Sequence, residues 1–230
     1  ILSKENDWSY EWKNLPSAKE MRTMTDDSVY NLAKQIGNAL HHYGINLNLA
    51  PVLDPPKDSK GKPSFIEVSN RSFGEFETAV PKIRSFVKGM KESKVLSTSK
   101  HFPGYDSWTN SDHQIAFSTS SKEIILRNVE LFKEFADEIP VVMLSSVRFV
   151  RLSNTPAVFN PKITAMAREI SPYTVLLTDD LWGVSLRAWI SGTDKVKGKN
   201  YPSKDFKKLI RTVLWARNDM FMITYPAKAV

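Results

Sequence analysis

The chain has 230 residues, of which 41% are hydrophobic and 25% charged, a composition typical of globular proteins. It contains no cysteine, so disulfide bonds, thiolate metal sites and a cysteine nucleophile are excluded, while both cytosol and periplasm stay open as compartments. No apolar run reaches the roughly 18 residues that a membrane-spanning helix needs, so the sequence predicts no membrane span. Barrels of this length commonly form one unit, and we expect a single domain over residues 1–230.

The formal net charge of +7 raises the question of an anionic partner, such as nucleic acid or a cell-wall polymer. The basic residues are spread along the whole sequence, however, and the densest cluster, in 195–208, is mixed with Gly, Asn, Tyr and Ser. This pattern favours a solvated loop and helix face. The chain has no zinc-finger spacing and no RNA-binding motif, and we therefore expect no nucleic-acid partner.

Helical and strand patterns alternate along the chain. Apolar residues at three-to-four spacing predict helices, and runs that are alternating or wholly apolar predict strands. The predicted helices cover residues 17–43, 74–93 (broken or kinked near Pro81), 120–138, 161–169 and 203–218. The predicted strands cover residues 45–49, 95–99, 140–146, 174–180 and 219–225, and residues 55–70 are predicted to form an exposed loop. Such alternation indicates a parallel sheet with crossover helices.

Polar residues follow these strands at their carboxyl ends. Asp54, Lys100 with His101, Ser145 with Ser146, and Asp179 with Asp180 each come directly after a predicted strand or near its end. In parallel α/β folds the chemistry is located at this edge. The sequence therefore predicts an active site at the top of an α/β sheet or barrel.

These residue types suit a small set of reactions. Asp179 can attack an electrophilic carbon, and His113, on a loop, can transfer a proton near neutral pH. Arg71, Lys100 and His101 can donate hydrogen bonds to sugar hydroxyls. The His and Asp spacing contains no i, i+4 pair or other metal-binding motif, so no metal is expected.

Several of these residues also have purely structural interpretations. Asp180 is expected to cap a helix N-terminus. His101 fits a buried core histidine, and His113 an ordinary loop histidine. Trp108 and Trp182 fit either sugar-stacking platforms or core residues. His41 and His42 lie at a predicted helix C-terminus, where a cation interacts favourably with the helix dipole, and no functional role is assigned to them.

The segments resemble glycoside hydrolase family 3 in their order and spacing, above all its bacterial β-N-acetylglucosaminidase (β-hexosaminidase) branch. The matching segments are GINLNLAPVLD (44–54), NRSFG (70–74), KHFPG (100–104), DH (112–113), VVML (141–144), PAVFN (156–160), TDDL (178–181) and NDMFMITYP (218–226). The resemblance implies an α/β fold of the TIM-type (β/α)8 barrel class. It also implies that this barrel is incomplete or truncated at its N-terminal end.

The reaction implied by the resemblance is retaining hydrolysis of terminal β-linked N-acetylglucosamine, as in peptidoglycan or chitin-type fragments. Asp179 matches the nucleophile and His113 the loop histidine that acts as acid/base, with Asp112 as its candidate partner. Arg71, Lys100 and His101 match the residues that hold the sugar. No cofactor or metal is implied; the partner is a carbohydrate substrate, and neither the glycan nor the oligomeric state follows from the sequence.

The loop departs from the family pattern. The Asp-Ser-His of the family is Ser111, Asp112 and His113 here, and neighbouring side chains on an extended loop point apart. Asp106 is a second acid that could replace the missing partner, and Ser146 stands where the family commonly has a histidine. The alternative function is therefore a catalytically degenerate relative that binds glycans or a protein partner.

Overall fold

Four parallel strands form the centre of the fold in a computed structural model that describes residues 15–193 and 203–224. In chain order the strands are β1 (Leu47–Asn48), β2 (Leu96–Phe102), β3 (Phe117–Ser118), β4 (Val141–Leu144), β5 (Arg148–Phe149) and β6 (Val175–Thr178). The central sheet has the order β1-β2-β4-β6, and β3 pairs with β5 in a separate parallel ribbon. The parallel sheet predicted from the sequence is thus confirmed.

The helices cover this sheet and connect its strands. They are α1 (Ala18–Met21), α2 (Asp26–His42), α3 (Phe65–Val68), α4 (Phe76–Glu92), α5 (Lys122–Glu134), α6 (Pro161–Arg168), α7 (Val184–Ser191) and α8 (Ser203–Trp215), with a 3-10 turn at Ala157–Phe159. None of the helices in the described part of the chain is long and apolar enough to cross a membrane. Because parallel strands need such crossovers, every central strand is followed by helical structure before the next central strand begins.

Helices α2 and α4 pack closely because two glycines lie at their contact. A Cβ atom added at Gly89 would stand 2.6 Å from the carbonyl oxygen of Tyr30, and one at Gly37 would stand 2.6 Å from Cβ of Ser93. Side chains of that size therefore do not fit between the two backbones. The close approach fixes α2 and α4 as one layer against the sheet.

The helices differ from the sequence-based predictions in four places. The predicted helix 17–43 is two helices, because Thr25 accepts a hydrogen bond from the Ser28 amide and starts α2 as a new helix. Helix α4 runs on through Pro81, so the predicted break is wrong. Helix α3 lies inside the predicted loop 55–70, and α7 was not predicted.

The last predicted strand, 219–225, runs beside β6 only in part. Met220 forms a single parallel bridge with Leu177, and its carbonyl accepts a hydrogen bond from the Thr178 amide at 3.0 Å. Residue 225 lies outside the described residues, as do 195–202 of the basic cluster. The segment 219–222 nevertheless continues the sheet beyond β6 and completes the edge at which the polar residues gather.

Candidate active site

A pocket of about 160 Å³ lies at the carboxyl edge of the central sheet. It is lined by Leu49, Phe65, Arg71, Lys100, His101, Tyr105, Asn110, Ser111, Asp112, Met143, Asp179 and Met222. Five of the six site residues predicted from the sequence are in this set; His113 is not. A larger hollow of about 690 Å³ lies between residues 55–61 and helices α4 and α5, and none of the predicted site residues lines it.

Asp179 stands directly after β6, and both its carboxylate oxygens are held. The Ser146 hydroxyl donates to Oδ2 at 2.8 Å, and the Asp180 amide donates to Oδ1 at 2.8 Å. Ser146 follows β4, the neighbouring strand, so two adjacent strand ends cooperate to orient one carboxylate. The role of Ser146 was not predicted; the signals in the sequence were its position after a strand and its place where the family commonly has a histidine.

His101 is oriented by a buried carboxylate that was not among the predicted site residues. Asp54 has a fully buried side chain and accepts three hydrogen bonds: from the His101 amide at 2.8 Å, from His101 Nδ1 at 2.7 Å and from the Tyr105 amide at 2.6 Å. A carboxylate at this distance favours the tautomer with a proton on Nδ1. This pairing leaves Nε2 for the pocket, where a neutral ring accepts a hydrogen bond and an imidazolium donates one.

Lys100 is the titratable group of the pocket whose charge is most affected by its surroundings. Burial, with the nearby positive charge of Arg71, lowers the pKa of the Lys100 ammonium to about 8, although Asp179 and Asp54 act in the opposite direction. The peptide bond between Lys100 and His101 is cis. Near neutral pH Lys100 is still charged and can donate hydrogen bonds, together with the guanidinium of Arg71, to a ligand in the pocket.

The loop that carries Asp112 and His113 forms one hydrogen-bonded turn. The His113 and Gln114 amides both donate to the Asn110 carbonyl, at 3.2 and 3.3 Å. Asp112 and His113 are both solvent-exposed; Asp112 is among the residues that line the pocket and His113 is not, and the described contacts include no hydrogen bond between them.

Asp106, the other acid weighed as a partner for His113, is engaged elsewhere. It is buried and accepts a hydrogen bond from the Ser120 hydroxyl, while burial raises the pKa of its carboxyl above the usual value. Asp180 is not a helix N-cap, since α7 begins after Gly183. Instead its carboxylate accepts from the Trp182 amide and from the amide and hydroxyl of Thr224.

The remaining sequence candidates lie outside the pocket. Trp108 is 65% exposed, and Trp182 packs against Phe206 with the Arg187 guanidinium over its ring. His41 and His42 end α2 and are exposed. Across residues 15–193 and 203–224, no three acidic or histidine side chains are grouped as metal ligands.

Parallel strands with crossover helices, and a polar pocket at the strand carboxyl ends, are shared by (β/α)8 barrels and open α/β sheets that carry a site at the strand ends. The profile of the glycosyl hydrolase family 3 N terminal domain matches residues 10–181, most of the chain, and the chain belongs to that family. The family resemblance and the TIM-type fold class predicted from the sequence are both confirmed.

Similar proteins come from several bacteria. The chain is 25% identical over 181 residues to beta-hexosaminidase LpqI of Mycobacterium tuberculosis, covering 74% of this chain and 46% of that protein. It is 27% identical over 172 residues to a beta-hexosaminidase of Pseudomonas aeruginosa, covering 70% of this chain and 50% of the relative. The chain thus spans at most about half the length of these curated relatives.

Solved structures share the fold. The family 3 beta-N-acetylglucosaminidase from Paenibacillus sp. superposes with a TM-score of 0.73 at 24% identity, over 90% of this chain and 38% of that chain. The beta-N-acetylhexosaminidase from Beutenbergia cavernae gives a TM-score of 0.73 at 23% identity, over 91% of this chain and 60% of that chain. The described elements therefore correspond to part of a (β/α)8 barrel.

Proposed function

We propose that this chain supplies the catalytic barrel of a retaining glycoside hydrolase that removes terminal β-linked N-acetylglucosamine from peptidoglycan or chitin-type fragments. The observation that carries the proposal is the position of Asp179, a carboxylate with both oxygens held that shares a small polar pocket with Arg71, Lys100 and His101. Family membership and the names of the relatives support the same substrate class.

In this proposal Asp179 is the nucleophile. Its carboxylate attacks the anomeric carbon as the glycosidic bond breaks, and water later releases the covalent glycosyl-enzyme with net retention. The hydrogen bonds from Ser146 and the Asp180 amide reduce the motion of the carboxylate and keep it oriented before the attack. Each oxygen retains a lone pair, so these bonds leave the carboxylate able to form the new bond to carbon.

The sugar is held by the cationic and imidazole groups of the pocket. Arg71 and Lys100 donate hydrogen bonds to hydroxyl or carbonyl oxygens of the substrate, and Nε2 of His101 contacts a further hydroxyl. Because Asp54 fixes the His101 ring from behind, this contact needs little reorganisation on binding. The acid/base comes from the turn Asn110–Gln114, where His113 is the sequence-based candidate and Asp112 lines the pocket.

The nucleophile assignment is tested with the full-length protein. We expect hydrolysis of 4-nitrophenyl β-N-acetylglucosaminide with the β-anomer as first product by NMR. Asp179→Asn should lower kcat by at least about 10⁴-fold, as loss of a catalytic nucleophile does elsewhere. A 5-fluoro glycosyl fluoride should label the Asp179 peptide, detected by mass spectrometry. Turnover by Asp179→Asn equal to that of the wild type, or an α-anomeric product, would refute the proposal.

A second candidate function is a catalytically inactive relative that binds glycans. It is favoured by the position of His113, whose imidazole is exposed and does not line the pocket. This candidate predicts N-acetylglucosamine binding, measured by calorimetry, without hydrolysis of the chromogenic substrate. An Arg71→Ala variant would then lose binding, whereas Asp179→Asn would retain it.

A further inference from the structure

We propose that the solvent face of helix α8 is a second, non-catalytic binding site, which takes a linear glycan that carries carboxylate groups. The inference goes beyond the pocket of Asp179, and only the choice of a glycan as the partner rests on the proposed function. It starts from a row of cations that ends in an exposed tryptophan, none of which lines that pocket. The lysines of the row belong to the basic cluster for which the sequence pattern favours a solvated surface.

Helix α8 has two faces of opposite character. Leu209 and Val213 are fully buried and form its core face. On the other side, the spacing i, i+4, i+7 and i+11 brings four exposed side chains into one row, since residues at these intervals lie on the same side of an α-helix. The row is about 16 Å long at 1.5 Å per residue and consists of Lys204, Lys208, Arg211 and Trp215.

Trp215 stands between two surface hollows. One hollow, of about 290 Å³, is lined by the row and by Thr212. The other, of about 240 Å³, is lined by Trp215, by residues of helix α6 that include Arg168, and by Arg217. Three cations line the first hollow and two line the second, and no acidic residue is in either lining. The indole, which is 70% exposed, therefore has positive charge on both sides.

Most of these cations are not neutralised within the protein. Across residues 15–193 and 203–224, Arg168 forms an ion pair with Asp219, and the lining cations without an ion pair are Lys204, Lys208, Arg211 and Arg217. Helices α2 and α4, in contrast, pair their cations Lys34, Lys82 and Arg84 with carboxylates of neighbouring helices or of the segments after them. A group of uncompensated cations attracts an anionic partner.

Arg217 occupies a backbone position that usually favours glycine. Its φ is 63°, in the left-handed region, and its amide donates to the Leu214 carbonyl at 2.9 Å where α8 ends. Glycine or asparagine is the common residue at such a helix end, because a larger side chain is conformationally unfavourable there. Backbone of this kind is frequent at ligand sites. Here it accompanies a guanidinium that lines the second hollow.

The composition of the two hollows favours a glycan over a nucleic acid or a lipid surface. Within the described part of the chain, Trp215 is the one aromatic residue of the two linings, whereas single-stranded nucleic acids stack successive bases on several aromatic side chains. A lipid surface favours apolar residues beside the tryptophan, but Leu214 lies about 100° away around the helix and lines neither hollow. A single indole presents an apolar face to one sugar ring, and Lys and Arg on both sides can donate to carboxylates.

The test measures polymer binding by the full-length protein carrying Asp179→Asn, so that hydrolysis does not shorten the polymer. Affinity electrophoresis compares two soluble polymers with the same β-linked N-acetylglucosamine backbone: carboxymethyl-chitin, which carries carboxylates, and glycol chitin, which is neutral. We expect an apparent Kd for carboxymethyl-chitin that is at least about tenfold lower than for glycol chitin, the size of two or three exposed ion pairs.

Variants of the row should remove this preference. Neutralising its three cations together, by Lys204→Gln, Lys208→Gln and Arg211→Gln, should raise the Kd for carboxymethyl-chitin about tenfold and leave that for glycol chitin nearly unchanged. Trp215→Ala should raise the Kd for both polymers about fivefold, because the stacking surface is lost. Melting temperatures check that each variant is folded.

The matched control carries the same change in net charge at three exposed lysines elsewhere, by Lys60→Gln, Lys91→Gln and Lys122→Gln. We expect its Kd values to stay within about twofold of the parent's. Equal losses in both triple variants would attribute binding to net charge and overturn the inference. Unchanged binding by Trp215→Ala would also overturn it, as would tighter binding to a single-stranded oligonucleotide or to phosphatidylglycerol vesicles.

The proposed function fails separately from this site. A wild-type protein that binds carboxymethyl-chitin through the row, yet hydrolyses no β-N-acetylglucosaminide, would overturn the proposed function and support the second site. A protein that hydrolyses the glycoside but binds both polymers equally would overturn the second site and support the proposed function.

Discussion

The two halves of the pocket are built in different ways. One half stands on strand ends: Asp179 follows β6, Ser146 follows β4, and His101 lies within β2 with its ring fixed by Asp54. The other half is the turn around Asp112, held by the side chain of Tyr105 and the amide of Ser185. The sheet fixes the positions of the groups on strands, whereas the positions of the groups on the turn depend on a few hydrogen bonds.

Because of this difference, substitutions in the turn are expected to affect folding less than substitutions in the strand-borne half. A change in the strand-borne half disturbs a sheet that also holds the core together. A change in the turn alters which side chain faces the substrate at little cost to folding, since turns are exposed and tolerate substitution. Residues 111–113, whose Ser-Asp-His order was interpreted from the sequence as a departure from the family pattern, lie in this turn.

Within the strand-borne half, the largest effect after loss of the nucleophile is expected for Asp54→Asn. The amide cannot replace a carboxylate that accepts three hydrogen bonds within a fully buried site. We expect kcat/KM to fall about 10–100-fold, as for other residues that orient a binding side chain. We also expect destabilisation of about 1–3 kcal/mol, measured by urea unfolding. Unchanged kinetics would show that the strand-borne half does not depend on this carboxylate.

Ser146→Ala tests the contact between the two strand ends. Removing a hydrogen bond to a charged group costs about 1.5–3 kcal/mol, and each 1.36 kcal/mol of barrier is tenfold in rate. We expect kcat to fall at least about tenfold with KM nearly constant, because the bond orients Asp179 rather than the sugar. Ser153→Ala, on the loop after β5, serves as the control. A rise in KM alone would contradict an orienting role.

Tyr105→Phe tests the contribution of the turn, because it removes hydrogen bonds that hold the turn in place. The Tyr105 hydroxyl donates to the Thr109 carbonyl at 2.5 Å and accepts from the Ser111 amide, so its loss frees the turn while leaving the sheet intact. We expect kcat/KM to fall about fivefold, which corresponds to the loss of one weak hydrogen bond. The loss should be larger on chitobiose, whose leaving group needs protonation, than on the 4-nitrophenyl glycoside, whose leaving group needs little. Equal losses on both substrates would contradict the link between this turn and leaving-group protonation.

The smallest effect is the pH dependence set by Lys100. Its pKa in the folded chain is about 8, so its charge is lost above that pH, and we expect KM to rise two- to threefold between pH 7.5 and 9. Between about pH 8 and its ordinary pKa of 10.5 the unfolded chain binds more protons, so this group makes the free energy of unfolding increase with pH. Lys100→Met should flatten both dependences; an unchanged pH profile in this variant would assign them to another group.

The sequence predicted the strand-borne half well, because parallel strands bring their carboxyl ends to one edge whatever the details of packing. Asp179, Lys100 and His101 all line one pocket as a result, and Arg71, from the segment after α3, lines the same pocket. The role of Asp54 could not be read from the sequence, since its partners lie 47 and 51 residues away along the chain.

The turn was harder to predict for a related reason. Its conformation depends on the Tyr105 hydroxyl and on Ser185 in α7, a helix that the sequence pattern did not indicate. The split between α1 and α2 was missed because apolar spacing continues across Thr25, and only the capping hydrogen bond marks the new start. The local sequence pattern therefore predicted the secondary-structure elements and the sheet edge that carries the pocket. The orientation of the side chains in the pocket depends on contacts between segments far apart in the sequence.

The bonds between Asp180 and Thr224 have a consequence for synthesis on the ribosome. The residue beside the nucleophile is fastened to a position 44 residues further along the chain. A nascent chain that has emerged only as far as α7 already contains Asp179, Lys100 and His101. It does not yet contain Thr224, so the hydrogen bonds to Asp180 are absent. The bonds between Asp180 and Thr224 can therefore form only after the segment beyond α8 has left the exit tunnel.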